Sequence, residues 1–274
     1  MKNPIQPVIA VSNKSFSSIQ ELLDYCLKKN LCGIDYTFDS NAINVSDLQR
    51  ETANIEKIAK EGFEIRYHFQ FYSMEIAHAD MKKAKRSLEF HKDCIDFTSN
   101  FRGKYATIHI GLGIKSINEL KYENALANLS ELVAYGKEKQ ITVCLENLTR
   151  GWTNNPYSFL EMIEKTGASV TFDLGHANAC PWVVDNQGTS VEFLRTFVSH
   201  VINAHVYEIE KIDDKTIEPY HVAPRKLDFI RPLLSELIRT ECDWWLIELK
   251  AQEEVDHTRS LLQSFLDKTL RQTK

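Results

Sequence analysis

Ile141-Thr142-Val143-Cys144-Leu145-Glu146-Asn147 is a short apolar, partly β-branched run that reads as a buried strand delivering an acid and an amide at its C-terminal end. A polar loop follows, Leu148-Thr149-Arg150-Gly151-Trp152. A carboxylate leaving a buried strand is costly unless a cation, a hydrogen-bond network or a reaction employs it. A surface Lys or Arg would be the simplest partner, and the stretch alone does not choose. The same design recurs along the chain, and the recurrence decides the fold.

Upstream, Pro7–Val11, Cys32–Phe38, Phe63–Phe69 and Tyr105–Ile110 read as four strands. Helical spacing separates them over Ser15–Asn30, Asp47–Lys60 (closed by Gly62) and Met81–Asn100. Gly111-Leu112-Gly113 turns the chain into a helical pattern over Ile117–Lys139, which leads to the quoted strand. Downstream, a helix from Pro156 stops at Gly167, and Ala168–Asp173 is a sixth strand with Leu174-Gly175-His176 directly after it. Val191–Val198 is a short helix and Val201–Val206 a seventh strand. A charged loop, a helix over Leu227–Arg239, an eighth strand Trp244–Leu249 and a last helix over Glu253–Leu270 complete the order. Strict strand–helix alternation, with no composition break, predicts an α/β fold: a single (β/α)8 TIM barrel spanning residues 1–274. One of the Trp244-Trp245 rings belongs inside it and the other under the outer helices.

The hydrophobic content of 43% and charged content of 26% suit a globular chain with a sizeable core. Net charge is −5, with Lys and Arg scattered, so affinity for nucleic-acid phosphates is not expected. No strand end carries GxGxxG or GxxxxGK[ST], which removes support for a dinucleotide or P-loop site. The start, Met1-Lys2-Asn3-Pro4, has no signal-peptide apolar region, and no run is long enough to span a bilayer. The six cysteines (26, 32, 94, 144, 180, 242) form no CxxC, as expected of reduced thiols in a cytoplasmic protein. Assembly into a homo-oligomer is left open.

In a TIM barrel the C-terminal ends of the strands share one cavity. They would deliver His68, His109, Glu146, Asp173, His176, His205 and Glu248 there. One such His is more often a hydrogen-bonded core residue than a ligand, but seven His, Asp and Glu on one rim are not. Several carboxylates in one pocket repel unless a cation neutralises them. Nitrogen and oxygen donors without thiolate suit manganese, cobalt, zinc, iron or magnesium. His78, His91, His200 and His257 fall outside the strand ends and read as solvated or structural.

The pieces Gly33-Ile34-Asp35, Leu145-Glu146-Asn147, Phe172-Asp173-Leu174-Gly175-His176, His205-Val206-Tyr207-Glu208 and Ile247-Glu248 resemble the xylose isomerase-like TIM-barrel superfamily. That superfamily holds sugar isomerases, ketose 3-epimerases, hydroxypyruvate isomerases, inosose dehydratases and endonuclease IV. The resemblance implies one divalent metal held by Glu146, Asp173, His205 and Glu248, with His176 contacting substrate. In the isomerase and epimerase branch it makes Glu146 and Glu248 the acid/base pair acting on a small carbohydrate through a metal-stabilised enediolate. His68, His109 and His221 would line the substrate rim, with a second metal site open near His68 and His109.

Inosose dehydratase-like lyase chemistry is one alternative, and zinc-dependent cleavage of abasic DNA, as in endonuclease IV, is another. The latter family's extra ligands correspond to His68, His109, His176 and His221. It carries an Asp two residues before the last His, however, where this chain has Pro219 in Glu218-Pro219-Tyr220-His221, so a complete third metal set is not expected. The Asn-Arg pair usual after the fifth-strand Glu of ketose 3-epimerases is also absent. In that loop Arg150 would hold a substrate phosphate or carboxylate, and Trp152, with Trp182, would wall the pocket.

Overall fold

The computed structural model describes residues 5–114, 116–216 and 218–271. The predicted N-terminal stretch Met1–Pro4, and the ends of the 1–274 domain assignment, lie outside the described residues. Ten strands form in chain order: β1 Val8–Ser12, β2 Gly33–Thr37, β3 Glu64–Phe69, β4 Tyr105–Ile108, β5 Thr142–Glu146, β6 Ser169–Asp173, β7 Val201–Val206, β8 Ile209–Ile212, β9 Pro219–Val222 and β10 Trp244–Ile247. Eight of them close into a parallel barrel, with β10 as the eighth stave between β7 and β1. The predicted (β/α)8 architecture is therefore the one the chain adopts. The segment read as a charged loop is instead the antiparallel hairpin β8–β9, with Glu210 opposite His221. Ile209-Glu210-Lys211-Ile212 does not alternate apolar and polar residues, so no period-two signal marked this strand.

Eleven helices surround the barrel among the described residues: α1 Ile19–Lys29, α2 Val45–Gln49, α3 Thr52–Lys60, α4 Met81–Ser99, α5 Tyr122–Glu138, α6 Pro156–Thr166, α7 Leu174–Ala179, α8 Pro181–Val184, α9 Ser190–Phe197, α10 Arg231–Leu237 and α11 Gln252–Arg271. Boundaries follow local chemistry. Asn155 caps α6 ahead of Pro156, and Gly167 ends it in the left-handed region at φ 74°. The helix expected over Asp47–Lys60 is broken into α2 and α3 at Glu51. There the Glu51 carboxylate is drawn to the Tyr36 hydroxyl (2.6 Å) and the Asp39 amide (2.8 Å). The pattern over Ile117–Lys139 begins as a 3-10 turn, Ile117–Glu119, before α5. None of the described helices is long and apolar enough to cross a membrane.

The main apolar core lies between staves and helices, and Trp245 faces Phe265 of α11 across 6.2 Å. Of the two rings expected on opposite faces, Trp244 is the one that points into the barrel, with Ala10 and Leu246. Gly33 makes that possible, because a Cβ there would meet the Trp244 ring at 2.8 Å. The barrel interior is otherwise unusually polar, where Val, Ile and Leu normally fill the layers. Buried Arg66 stacks on Tyr105 (3.9 Å) and Trp244 (4.5 Å) and donates to Asn203 and, at 2.8 Å, to Asp243. Asn203 in turn donates to Thr171 (3.1 Å), which shares a 2.7 Å hydrogen bond with Thr107.

Two rim loops are joined by one buried acid. Glu75 accepts the Ala77 amide at 2.8 Å and the Gly111 amide at 2.5 Å. Burial nevertheless raises its pKa from 4.5 to about 7. Because the folded pKa is the higher one, the protonated group favours the fold below pH 4.5, and that contribution is lost as pH rises through 7. The gap corresponds to roughly 3 kcal/mol. Denaturant unfolding at pH 5 and pH 8 should show wild type losing about that much stability relative to Glu75→Gln, whose side chain does not ionise.

Candidate metal centre

Strand geometry alone places most of the centre. Side chains alternate along a strand, so the residue at the C-terminal end of an inward-facing row points over the barrel mouth. His68 on β3, Glu146 on β5, Asp173 on β6 and His205 on β7 meet there, joined by Glu248 just past β10. Donor atoms of Glu146, Asp173, His205 and Glu248 all lie within 4.8 Å of one another. His205 Nδ1 is 3.1 Å from Glu248 Oε2, 3.3 Å from Glu146 Oε2 and 3.7 Å from Asp173 Oδ2. Asn147 ties the ends of β5 and β6 together: it accepts the Asp173 amide at 2.8 Å and donates to its carbonyl at 2.9 Å. Asp173 Oδ1 accepts the His176 amide at 2.6 Å, capping α7 and leaving Oδ2 for the centre.

The fit to a cation is visible in what these atoms lack. Glu146 Oε2, Asp173 Oδ2, His205 Nδ1 and Glu248 Oε2 are buried and have no hydrogen-bond partner. Buried polar atoms are nearly always satisfied, and four exceptions pointing at one locus mark a place for a positive ion. Asp173 has its second oxygen held by the His176 amide, as metal ligands often are, whereas His205 Nε2 is buried without a hydrogen-bond partner as well.

His68 and His109 also approach Glu146, with Nε2 atoms 3.4 and 3.2 Å from its Oε2 and 3.2 Å from each other. Together with Glu146 and His205, His68 forms a second, overlapping donor group. His176 and His221 belong to a third group whose carboxylate is Glu210. Sequence reasoning missed Glu210; nearby Glu208, the last residue of the His205-Val206-Tyr207-Glu208 motif, uses its backbone, its amide donating to the Val222 carbonyl (2.8 Å) and its carbonyl accepting from Asn178 (2.8 Å).

A cavity of about 1220 Å³ opens over the centre, lined among others by His109, Glu146, Arg150, His176, His221 and Glu248. Arg150 donates to the Leu112 carbonyl at 3.2 Å and remains exposed on the cavity wall. Trp152 is not among the lining residues; it packs edge-on against Tyr122 at 5.0 Å, and Trp182 packs likewise against Tyr157 at 5.6 Å. Both indoles support loops, because their apolar area is better buried there than at the polar mouth. His91, read as structural, is buried among Phe69, Phe71 and Phe90.

Charge states follow from the crowding. Burial alone would push Glu146 up, but the imidazoles of His205 and His109 outweigh it and hold the carboxyl well below its ordinary range. Glu248 is lowered too, burial being overcome by His205 and His221. For His205, burial disfavours the imidazolium, yet Glu146 and Glu248 raise it well above 6.5. His176 is raised in the same sense, against burial, by Asp173, Glu146 and Glu210. His109 goes the other way because burial dominates.

Comparison with known proteins identifies the family. Residues 32–223 match the family model of the xylose isomerase-like TIM barrel. The chain belongs to that family, a family of enzymes with several subclasses. It is 31% identical over 212 residues to the uncharacterized protein MJ0008 of Methanocaldococcus jannaschii, covering 77% of this chain and 84% of that one. Among solved structures it is similar to a D-tagatose 3-epimerase-like protein (TM-score 0.72, 20% identity, 97% of this chain and 99% of the other). It is also similar to the IolI protein with a bound zinc atom (TM-score 0.68, 14% identity, 95% and 98%).

A metal-free centre should hold protons that a cation must displace, since ligating imidazoles are neutral. His205 and His176 are both raised above 6.5, so at pH 7 zinc binding is expected to release more than one proton. Calorimetric titrations in two buffers of different ionisation heat would measure the release. Affinity should weaken about tenfold per displaced proton for each pH unit lowered.

Proposed function

We propose that the protein is a divalent-metal-dependent isomerase or epimerase of a small sugar or hydroxy-carbonyl compound. The observation that carries this reading is the set of four unpartnered, convergent donor atoms on Glu146, Asp173, His205 and Glu248 beneath an open cavity. Nitrogen and oxygen donors suit zinc, manganese, cobalt, iron or magnesium. Bound there, such an ion would supply Lewis acidity to adjacent carbonyl and hydroxyl oxygens of the substrate.

The chain's own groups divide the remaining work. Asp173 and His205 are fully buried and can only hold. Glu146 and Glu248 line the cavity and so can reach substrate as well. Their depressed pKa values keep them ionised, as a proton acceptor must be. One removes a proton from the carbon next to the carbonyl, and the other returns it on another atom or face. His109, His176 and His221 offer hydrogen bonds to hydroxyls, and exposed Arg150 offers a cation to a phosphate or carboxylate.

A second reading has one observation in its favour. Glu146 belongs both to the four-donor set and to the group with His68 and His205, a sharing that suits two adjacent cations. Paired metals stabilise the attacking and leaving oxygens of phosphoester hydrolysis, so abasic-DNA cleavage, as in endonuclease IV, is the alternative to test.

Solvent-deuterium incorporation across a panel of ketoses, aldoses and inososes tests the main reading, with an abasic-DNA oligonucleotide as a parallel substrate. For any compound turned over, Glu146→Gln and Glu248→Gln should each lower kcat by about 10²–10⁴ while the far-UV spectrum stays native. Wild-type rates in either variant would remove that glutamate from the proton transfer.

A further inference from the structure

We propose that the substrate carries an aromatic substituent, held in an apolar slot across the outer half of the cavity. Tyr72 and Leu112 form one wall of the slot and Ile212 and Pro219 the other, and all four line the cavity. The proposal rests on the isomerase or epimerase reading and narrows its substrate class. Barrel closure creates the juxtaposition. Around the ring of eight staves, β3 and β7 stand four positions apart in either direction. The loop after β3 and the hairpin after β7 therefore face each other over the mouth.

The hairpin wall grades from polar to apolar. Glu210 and His221 are directly opposed across β8–β9, and so are Ile212 and Pro219. Side chains two apart on a strand share a face, so Ile212 and Pro219 continue toward the turn the surface that Glu210 and His221 begin. The facing wall comes from two loops. The Tyr72 amide donates to the Ser40 carbonyl at 3.1 Å, and a Cβ on Gly113 would stand 1.9 Å from the Tyr72 carbonyl oxygen. Only glycine allows that approach, which brings Leu112 to the same wall. The loop after β5 ties the two walls together: Thr149 donates to Glu210 at 2.9 Å and Arg150 to the Leu112 carbonyl at 3.2 Å.

Two quantities point to an occupant. Tyr72 and Ile212 are 49% and 56% exposed although both line the cavity. Single exposed apolar side chains are ordinary, but a facing pair above a polar floor is a surface that a ligand's apolar area would cover. The cavity measures about 1220 Å³, and roughly 300–1,000 Å³ is enough to enclose a drug-sized ligand. A small sugar held at Glu146 and Glu248 would leave the outer part unfilled. A flat aromatic group suits a slot with a tyrosine ring on one side and the Ile212–Pro219 pair on the other. The unit reacting at the floor is then the sugar or hydroxy-carbonyl end of an aryl conjugate.

Binding, rather than turnover, tests the slot separately from the chemistry. Full-length, zinc-loaded protein is titrated calorimetrically with 4-nitrophenyl and methyl β-glycosides of glucose, galactose and xylose. For at least one sugar the nitrophenyl glycoside should bind about tenfold tighter than its methyl partner, or better. Ile212→Thr, which keeps a β-branched residue in the strand, and Tyr72→Ser should each cut that ratio about threefold and leave methyl-glycoside affinity unchanged. Equal affinity within all three pairs, or no binding by any of the six compounds, would overturn the slot. A ratio unaltered in both variants would overturn it too. An aryl preference of the expected size with no solvent-deuterium incorporation into any compound would remove the isomerase or epimerase reading and leave the slot in place.

Discussion

Carboxylates and imidazoles meeting at the C-terminal mouth of a parallel barrel create the constraint on which the rest of the structure depends. Glu146, Asp173 and Glu248 are brought close enough that their charges repel in a medium of low dielectric, and His205 Nδ1 lies within 3.7 Å of all three. In the absence of an ion the imidazoles take up protons, which is why His205 and His176 are raised and Glu146 and Glu248 lowered. The pocket is thus balanced by protons on its imidazoles, and the unpartnered oxygens and nitrogen converge on one locus within it.

The barrel beneath is adapted to support that polarity. A conventional apolar plug would leave the acids on a low-dielectric floor. Here Thr107, Thr171, Asn203 and Arg66 form a hydrogen-bonded column down the interior to Asp243 at the opposite end. Arg66 brings a fixed positive charge into the barrel, and its stacking on Tyr105 and Trp244 keeps it packed as well as paired. Asp35, buried on the same interior with its carboxyl raised by burial, takes a hydrogen bond from the Trp244 indole at 3.2 Å.

Over the mouth, the chain departs from the pattern its motifs suggest. The resemblance to endonuclease IV points to an Asp two residues before His221, and Pro219 stands there. The hairpin restores an acid by a different route, because antiparallel pairing sets Glu210 beside His221 although they are eleven positions apart in the chain. The indoles of Trp152 and Trp182, expected to wall the pocket, pack in loops against Tyr122 and Tyr157 instead.

What the sequence by itself determined was the barrel and the contents of its rim. Eight apolar runs alternating with amphipathic helices admit few folds, and period-two alternation sends the residue ending each stave to a predictable end. Glu146, Asp173, His205 and Glu248 were legible for that reason, as were the opposite fates of Trp244 and Trp245. Tertiary structure alone decided which donors share a locus and which stand apart. Glu210 was invisible as a donor because its partners, His176 and His221, come from a different element and from across a turn. Trp152 was misplaced because the direction of a loop side chain depends on its neighbours, here Tyr122 on α5. Strand periodicity is a local property that a linear reading can carry, whereas proximity between loops is set only when the whole barrel closes.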